Sequence, residues 1–100
     1  MTTAAPAEDH KHDYVLRLFI TGHTEKSRRA VRNLTRLCEE HLQGGYDLEV
    51  IDIYQQPELA VEHQLVAAPT LFKVLPLPPR KMIGDMSDTG RVLAGLGIRS

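Results

Sequence analysis

This sequence predicts a single α/β domain built around one parallel strand–helix–strand unit, and three stretches carry the prediction. Tyr14-Val15-Leu16-Arg17-Leu18-Phe19-Ile20 is rich in strand-forming residues and leaves through the turn-forming Thr21-Gly22-His23-Thr24. Ala30, Val31, Leu34, Leu37, Cys38 and Leu42 then recur at three- and four-residue spacings, which places them on one face of a helix that Gly44-Gly45 should end. Further on, Ala68-Pro69 stands directly before the apolar run Thr70-Leu71-Phe72-Lys73-Val74-Leu75. Proline fixes φ and lacks an N–H, so it suits the first residue of a buried strand and not its middle. An X-Pro bond is also the realistic place for a cis peptide, so the chain should turn sharply into the strand at Pro69.

At 100 residues the chain is long enough for one domain with a modest core. Hydrophobic content of 42% and charged content of 25% are those of an ordinary soluble protein. A net charge of -1 predicts no general affinity for nucleic acid or an anionic membrane. No apolar run approaches the roughly 20 residues that span a bilayer. Residues 1–12 are small, polar and charged, and are expected to be a disordered tail ahead of a domain at 13–100. They hold no signal-peptide core, which points to a cytoplasmic protein. His10 and His12 on such a tail do not make a closed metal site. The single cysteine, Cys38, excludes an internal disulfide and fits a reducing compartment.

The second strand falls at 47–53. Its alternation is imperfect: Leu48 and Val50 share one face, Ile51 and Ile53 the other, and Asp52 breaks the first set. Apolar residues on both faces predict a strand covered on both sides. With the helix between them, the two strands form a right-handed parallel unit by the general handedness rule. Segment 57–65 opens with Pro57-Glu58, good first-turn residues for a helix, yet Leu59, Val61 and Leu65 lie in an alternating register that would serve a strand. After the Pro69 strand come a Pro76-Leu77-Pro78-Pro79 turn and a short strand, Arg80-Lys81-Met82-Ile83, closed by Gly84-Asp85. Ser87 is then the expected cap of a last helix with Asp88 in its first turn. Gly90, Gly95 and Gly97 weaken that helix by up to about 1 kcal/mol each, and Arg91-Val92-Leu93-Ala94 would equally suit a strand.

Strand, helix, strand, helix, two strands and helix (βαβαββα) is a thioredoxin-like order, which raises the question of redox chemistry. Such chemistry needs a cysteine where the first strand exits, because the helix N-terminus lowers its pKa there. That position reads Thr21-Gly22-His23-Thr24-Glu25-Lys26-Ser27, without sulfur. Cys38 lies three turns into the helix on its apolar face, where it is a small buried hydrophobe. A phosphate-binding loop, a histidine pair at metal spacing in the domain and a nucleophile elbow are also missing. The expectation is a protein that is not an enzyme and carries no cofactor or metal. Lys26, Arg28, Arg29, Arg32 and Arg36 crowd the first half of the first helix, and Glu39 and Glu40 its last turns. This opposes the helix dipole by roughly a few tenths of a kcal/mol per charge. The cluster is either a solvated face or a basic docking surface for an acidic protein.

Four stretches together resemble the KaiB family of circadian-clock proteins: Tyr14-Val15-Leu16-Arg17-Leu18 with Gly22; Val50-Ile51-Asp52; Ala68-Pro69-Thr70-Leu71; and Arg80 through Asp88, with its Ile-Gly-Asp-x-Ser-Asp core. The resemblance runs from Tyr14 to about Ile98. It implies a non-catalytic clock component that binds the hexameric ATPase KaiC and modulates its phosphorylation cycle, recruiting KaiA or displacing the sensory domain of the kinase SasA. It also implies a metamorphic chain that exchanges between a self-associating ground state (βαββααβ, a dimer or tetramer) and the thioredoxin-like, partner-binding form. The ambivalent segments 57–65 and 87–98 lie where that exchange occurs. Positions expected to govern it are Pro69, Gly84, Asp85, Gly95 and Gly97. Those expected at the partner surface are Lys26, Arg28, Arg29, Arg32, Gln64, Lys73 and Arg80. Gln64 stands where cyanobacterial members carry a lysine used in KaiC binding, Gly97 replaces an acid, and Gly95 matches a family glycine. Ser100 is reached without the aromatic residue and acidic tail of those members, so a weaker tetramer and a more accessible thioredoxin-like form are expected. A thioredoxin-like adaptor or stress-related module for some other protein is the alternative reading. A thiol-dependent enzyme lacking its usual cysteine is a weaker one.

Overall fold

The computed structural model describes residues 13–43, 45–65 and 69–98. The elements are β1 (Tyr14–Ile20), α1 (Glu25–His41), β2 (Tyr46–Asp52), α2 (Pro57–Glu62), β3 (Thr70–Leu75), β4 (Arg80–Ile83) and α3 (Thr89–Leu96). They form a thioredoxin-like α/β domain. The expected tail at 1–12, Gly44 and the Ala68–Pro69 peptide bond lie outside the described residues. Two other X-Pro bonds, Leu75–Pro76 and Leu77–Pro78, are cis.

The sheet has the order β2-β1-β3-β4, with β1 parallel to β2 and antiparallel to β3, and β3 antiparallel to β4. Period-two alternation sends Leu16 and Leu18 of β1 and Leu71 of β3 to one face, where Ala30, Leu34, Leu37 and Cys38 of α1 and Val92, Leu93 and Leu96 of α3 bury them. Each fully buried leucine here contributes about 1.5–3 kcal/mol of transfer free energy. The other face is covered more thinly. Phe19 and Phe72 point there, pack edge-on against each other at 5.4 Å, and meet the ring of His63, just past α2, at centroid distances of 5.0 and 5.3 Å.

Four local expectations change. β2, an outer strand, is not covered on both faces: Ile51 is buried on one, but Val50 is 42% exposed on the other. At the end of helix α1 the Leu42 N–H bonds to Cys38 O, and Gln43, ahead of the expected glycines, takes a positive φ of 37°. The cap of α3 is Asp88, whose carboxylate accepts the Arg91 N–H, while the Ser87 N–H goes to Asp85 Oδ1. Segments 57–65 and 87–98 each hold a helix, at Pro57–Glu62 and Thr89–Leu96. In α3 the choice is made by packing, because Val92, Leu93 and Leu96 fill the sheet face, which outweighs weak local propensity. Gly97 stands at the end of α3 in the left-handed conformation (φ 81°), so only Gly90 and Gly95 lie within the helix.

Candidate partner-binding surface

Where a redox thiol would sit, the start of α1 is closed by its own hydrogen bonds. Thr24 caps the helix by accepting the Ser27 N–H, and the buried Ser27 hydroxyl accepts the Thr21 N–H at 3.0 Å. Asp52, at the end of β2, accepts the N–H groups of Gly22 and Tyr54 through one oxygen, at 3.0 and 2.9 Å. The aspartate that interrupts the strand pattern thus ties the β1 exit to the β2 exit. Only the motif Val50-Ile51-Asp52 signalled this role in the sequence. Cys38 is 1% exposed, and burial, aided by the Glu39 charge, pushes its thiol up to about 11. It is therefore held as the unreactive thiol.

The cations of α1 divide into two groups. Arg28 and Arg32, one turn apart, line a surface depression of about 320 Å³ with Ile20, Gly22, His23 and Val31. Lys26, Arg28 and Arg32 are exposed and form no ion pair among the described residues. Arg29, in contrast, is engaged within the fold. Its guanidinium lies 3.1 Å from Asp85 Oδ2 and 3.7 Å from Glu25 Oε2. One turn later, Asn33 Nδ2 donates to the Asp85 carbonyl at 3.0 Å.

The other expected surface residues lie elsewhere. Gln64 is exposed just after α2, with φ 54°. Lys73 and Arg80 are register partners at the hairpin end of the sheet; Arg80 is exposed, but Lys73 is only 4% exposed. Lys73 pairs with Leu16 of β1, four residues before the end of the strand that leads to α1, on the order of 13 Å along its axis. The seven positions therefore do not form a single patch.

The positions expected to govern fold exchange form a connected joint, apart from Gly95 and Gly97. Buried Pro69 accepts the Gly84 N–H at 3.0 Å, and Gly84 adopts φ 128°. Asp85 then ties this turn to α1 through Arg29 and Asn33. Hydrogen bonds from Ser87, and then the Arg29 guanidinium, hold the Asp85 carboxyl below its ordinary value of 3.8. Next to it, Met86 is buried with φ 61°, a conformation a non-glycine residue adopts only when its surroundings impose it. Nothing in the sequence singled out Met86. Gly95 faces the Met82 side chain, which a Cβ at that position would displace.

A family model described as the KaiB domain matches residues 17–98. The circadian clock oscillator protein KaiB of Microcystis aeruginosa is 50% identical over 88 residues, covering 88% of this chain and 85% of that one. Its counterpart in Acaryochloris marina is 52% identical over 85 residues, covering 85% and 82%. Among solved structures, the N-terminal domain of Synechococcus elongatus SasA superposes with a TM-score of 0.70 at 22% identity, over 85% of this chain and 83% of that domain. Mitochondrial thioredoxin 3 of Saccharomyces cerevisiae gives 0.69 at 18% identity, over 95% and 87%, a likeness of fold alone. The chain belongs to the KaiB family of circadian-clock proteins.

Proposed function

We propose that this chain is a non-catalytic clock regulator of the cytoplasm that docks on a KaiC-like hexameric ATPase in its thioredoxin-like form and so modulates that ring's phosphorylation cycle. The observation carrying this reading is the pair Arg28 and Arg32, without an ion-pair partner among the described residues and beside the apolar walls Ile20 and Val31. Cations next to apolar surface, with no internal carboxylate, suit an acidic protein patch better than a solvated face does. Lys26 on the same helix and Gln64 beyond α2 extend the contact. The shared fold of the SasA N-terminal domain supports competition between this chain and a SasA-like kinase for one ring surface. KaiA is a further candidate to join the bound complex. Exchange with the βαββααβ ground state, a dimer or tetramer, centres on Pro69, Gly84, Asp85, Gly95 and Gly97.

The test is association with a purified KaiC-like hexamer, measured by surface-immobilised binding over a salt series. Arg28→Glu/Arg32→Glu should slow association and flatten its salt dependence. Unchanged affinity and unchanged salt slope would leave the helix a solvated face. Binding to an unrelated protein but not to the hexamer would favour the adaptor reading.

A further inference from the structure

The far end of the domain carries a second surface that α1 does not touch. Pro76, Pro78 and Pro79 donate no N–H, so three of the four residues joining β3 to β4 cannot close a tight hydrogen-bonded turn. Strand β3 has six residues and β4 only four, which leaves the end of β3 without a neighbour on that side. On the second sheet face the ring of His63 packs against Phe19 and Phe72. Together these features leave an open groove of about 540 Å³ walled by Phe72, Val74, Leu75, Leu77 and Pro79.

Four of the seven exposed large apolar side chains among the described residues belong to this hairpin, and Leu77 at its tip is 72% exposed. Arg80 and Lys81 also line the groove, with Lys81 Nζ 5.4 Å from the centre of the Phe72 ring. Neither pairs with a carboxylate among the described residues. Strand β4 is the outer strand of the sheet, so one row of its backbone N–H and C=O groups is unpaired within it. Basic residues alone would merely guard such an edge against aggregation. Basic residues beside a wide apolar groove also offer a partner complementary charge and an apolar seat.

We propose that the groove formed by β3, the 76–79 turn and β4 is a docking site for an extended segment of a protein partner that carries both carboxylates and aliphatic side chains. An added strand takes hydrogen bonds from the β4 edge, and its side chains alternate with a period of two. Carboxylates meet Lys81 on one face of β4 and Arg80 on the other, because adjacent strand residues point oppositely, while aliphatic side chains seat on Leu75 and Leu77 beside the turn. A second copy of this chain fits less well, although its outer strand β2 carries Asp47 and Glu49. Parallel joining of the two edges would set α1, with Arg28, Arg32 and Arg36, beside α3 with Arg91, because both helices lie on the same sheet face; antiparallel joining avoids this and would show as growth of mass.

The experiment titrates the isotope-labelled full chain, without any ATPase ring, with acetyl-Glu-Leu-Asp-Val-Glu-Leu-Asp-Val-amide and with its counterpart bearing lysine in place of each acid. Amide shifts, peptide anisotropy and complex mass are followed together. The acidic peptide should bind roughly tenfold more tightly than the basic one, weaken with salt, and shift residues 72–83. Arg80→Glu/Lys81→Glu should invert the preference, and Leu77→Ser should weaken binding to both peptides. All three substitutions are at exposed positions, and unchanged far-UV dichroism verifies the fold. Equal affinity for both peptides, shifts confined to α1 or β2, saturation by dodecanoate but not by the peptide, or growth of mass without peptide binding would each overturn the proposal. Because no ring is present, failure here leaves the proposed action on the ATPase standing.

Discussion

Replacing Gly97 by alanine isolates one backbone effect in the thioredoxin-like form. Gly97 closes α3 in a two-bond cap: its own N–H reaches Ala94 O at 3.1 Å, and the Ile98 N–H reaches Leu93 O at 2.9 Å. This pairing requires the left-handed φ of 81°. A Cβ built there has no atom within 4 Å, so alanine would clash with nothing beyond its own backbone. The cost is therefore conformational, about 1–2 kcal/mol for an L-residue in this region. Alanine also restricts the unfolded chain, which offsets about 0.4–1 kcal/mol of it. The net expectation is about 1 kcal/mol, a fivefold change in the folded ratio. Gly97→Asn should cost less, since asparagine tolerates the left-handed region. Urea unfolding of both variants at several protein concentrations, followed by far-UV dichroism, measures this. An alanine variant as stable as the parent would show that the populated fold does not end a helix at Gly97.

Cys38, with its thiol raised from 9.0 to about 11, should alkylate about 100-fold more slowly than a free cysteine below pH 9 and become fast on unfolding. The folded chain keeps the proton that the unfolded chain releases, so this stabilising term is full below 9.0 and is lost as pH rises towards 11. Fast labelling of the native chain, or insulin reduction lost in Cys38→Ser, would contradict it. For Asp85 the sign is opposite. Its lowered pKa stabilises the fold above 3.8, and that contribution disappears as pH falls through the folded value. Parent and Asp85→Asn should therefore differ in urea midpoint near neutral pH and converge in acid, whereas a constant gap would place the effect elsewhere.

The strands and the first helix were legible because each is specified locally. Leu16 and Leu18 alternate with Arg17, and Ala30, Leu34, Leu37 and Cys38 repeat at helical spacing, so their faces follow from periodicity. The absence of sulfur before α1, the turn at 76–79 and the short β4 were likewise plain. So was the KaiB resemblance, carried by Pro69-Thr70-Leu71 and by the stretch from Ile83 to Asp88. At α1 the basic cluster was visible, but its division was not. Arg28 and Arg29 are adjacent in the chain and point about 100° apart, so one remains free while the other meets an aspartate 56 residues away.

Tertiary structure alone decided the rest, and the reason is contact across long sequence separations. Segment 87–98 became a helix because the sheet face accepts Val92, Leu93 and Leu96 together. Asp52 gained its role when β2 ended beside Gly22. Val50, on the edge strand β2, is left exposed while Ile51 on the opposite face is buried, a difference the apolar pattern did not show. Lys73 is buried while its register partner Arg80 is exposed, a difference that residue type cannot supply. Met86 adopts a positive φ because Asp85 is anchored to α1 on one side and Asp88 caps α3 on the other. A sequence states the preferences of each segment, but the contacts that override them exist only once the sheet and its helices have assembled.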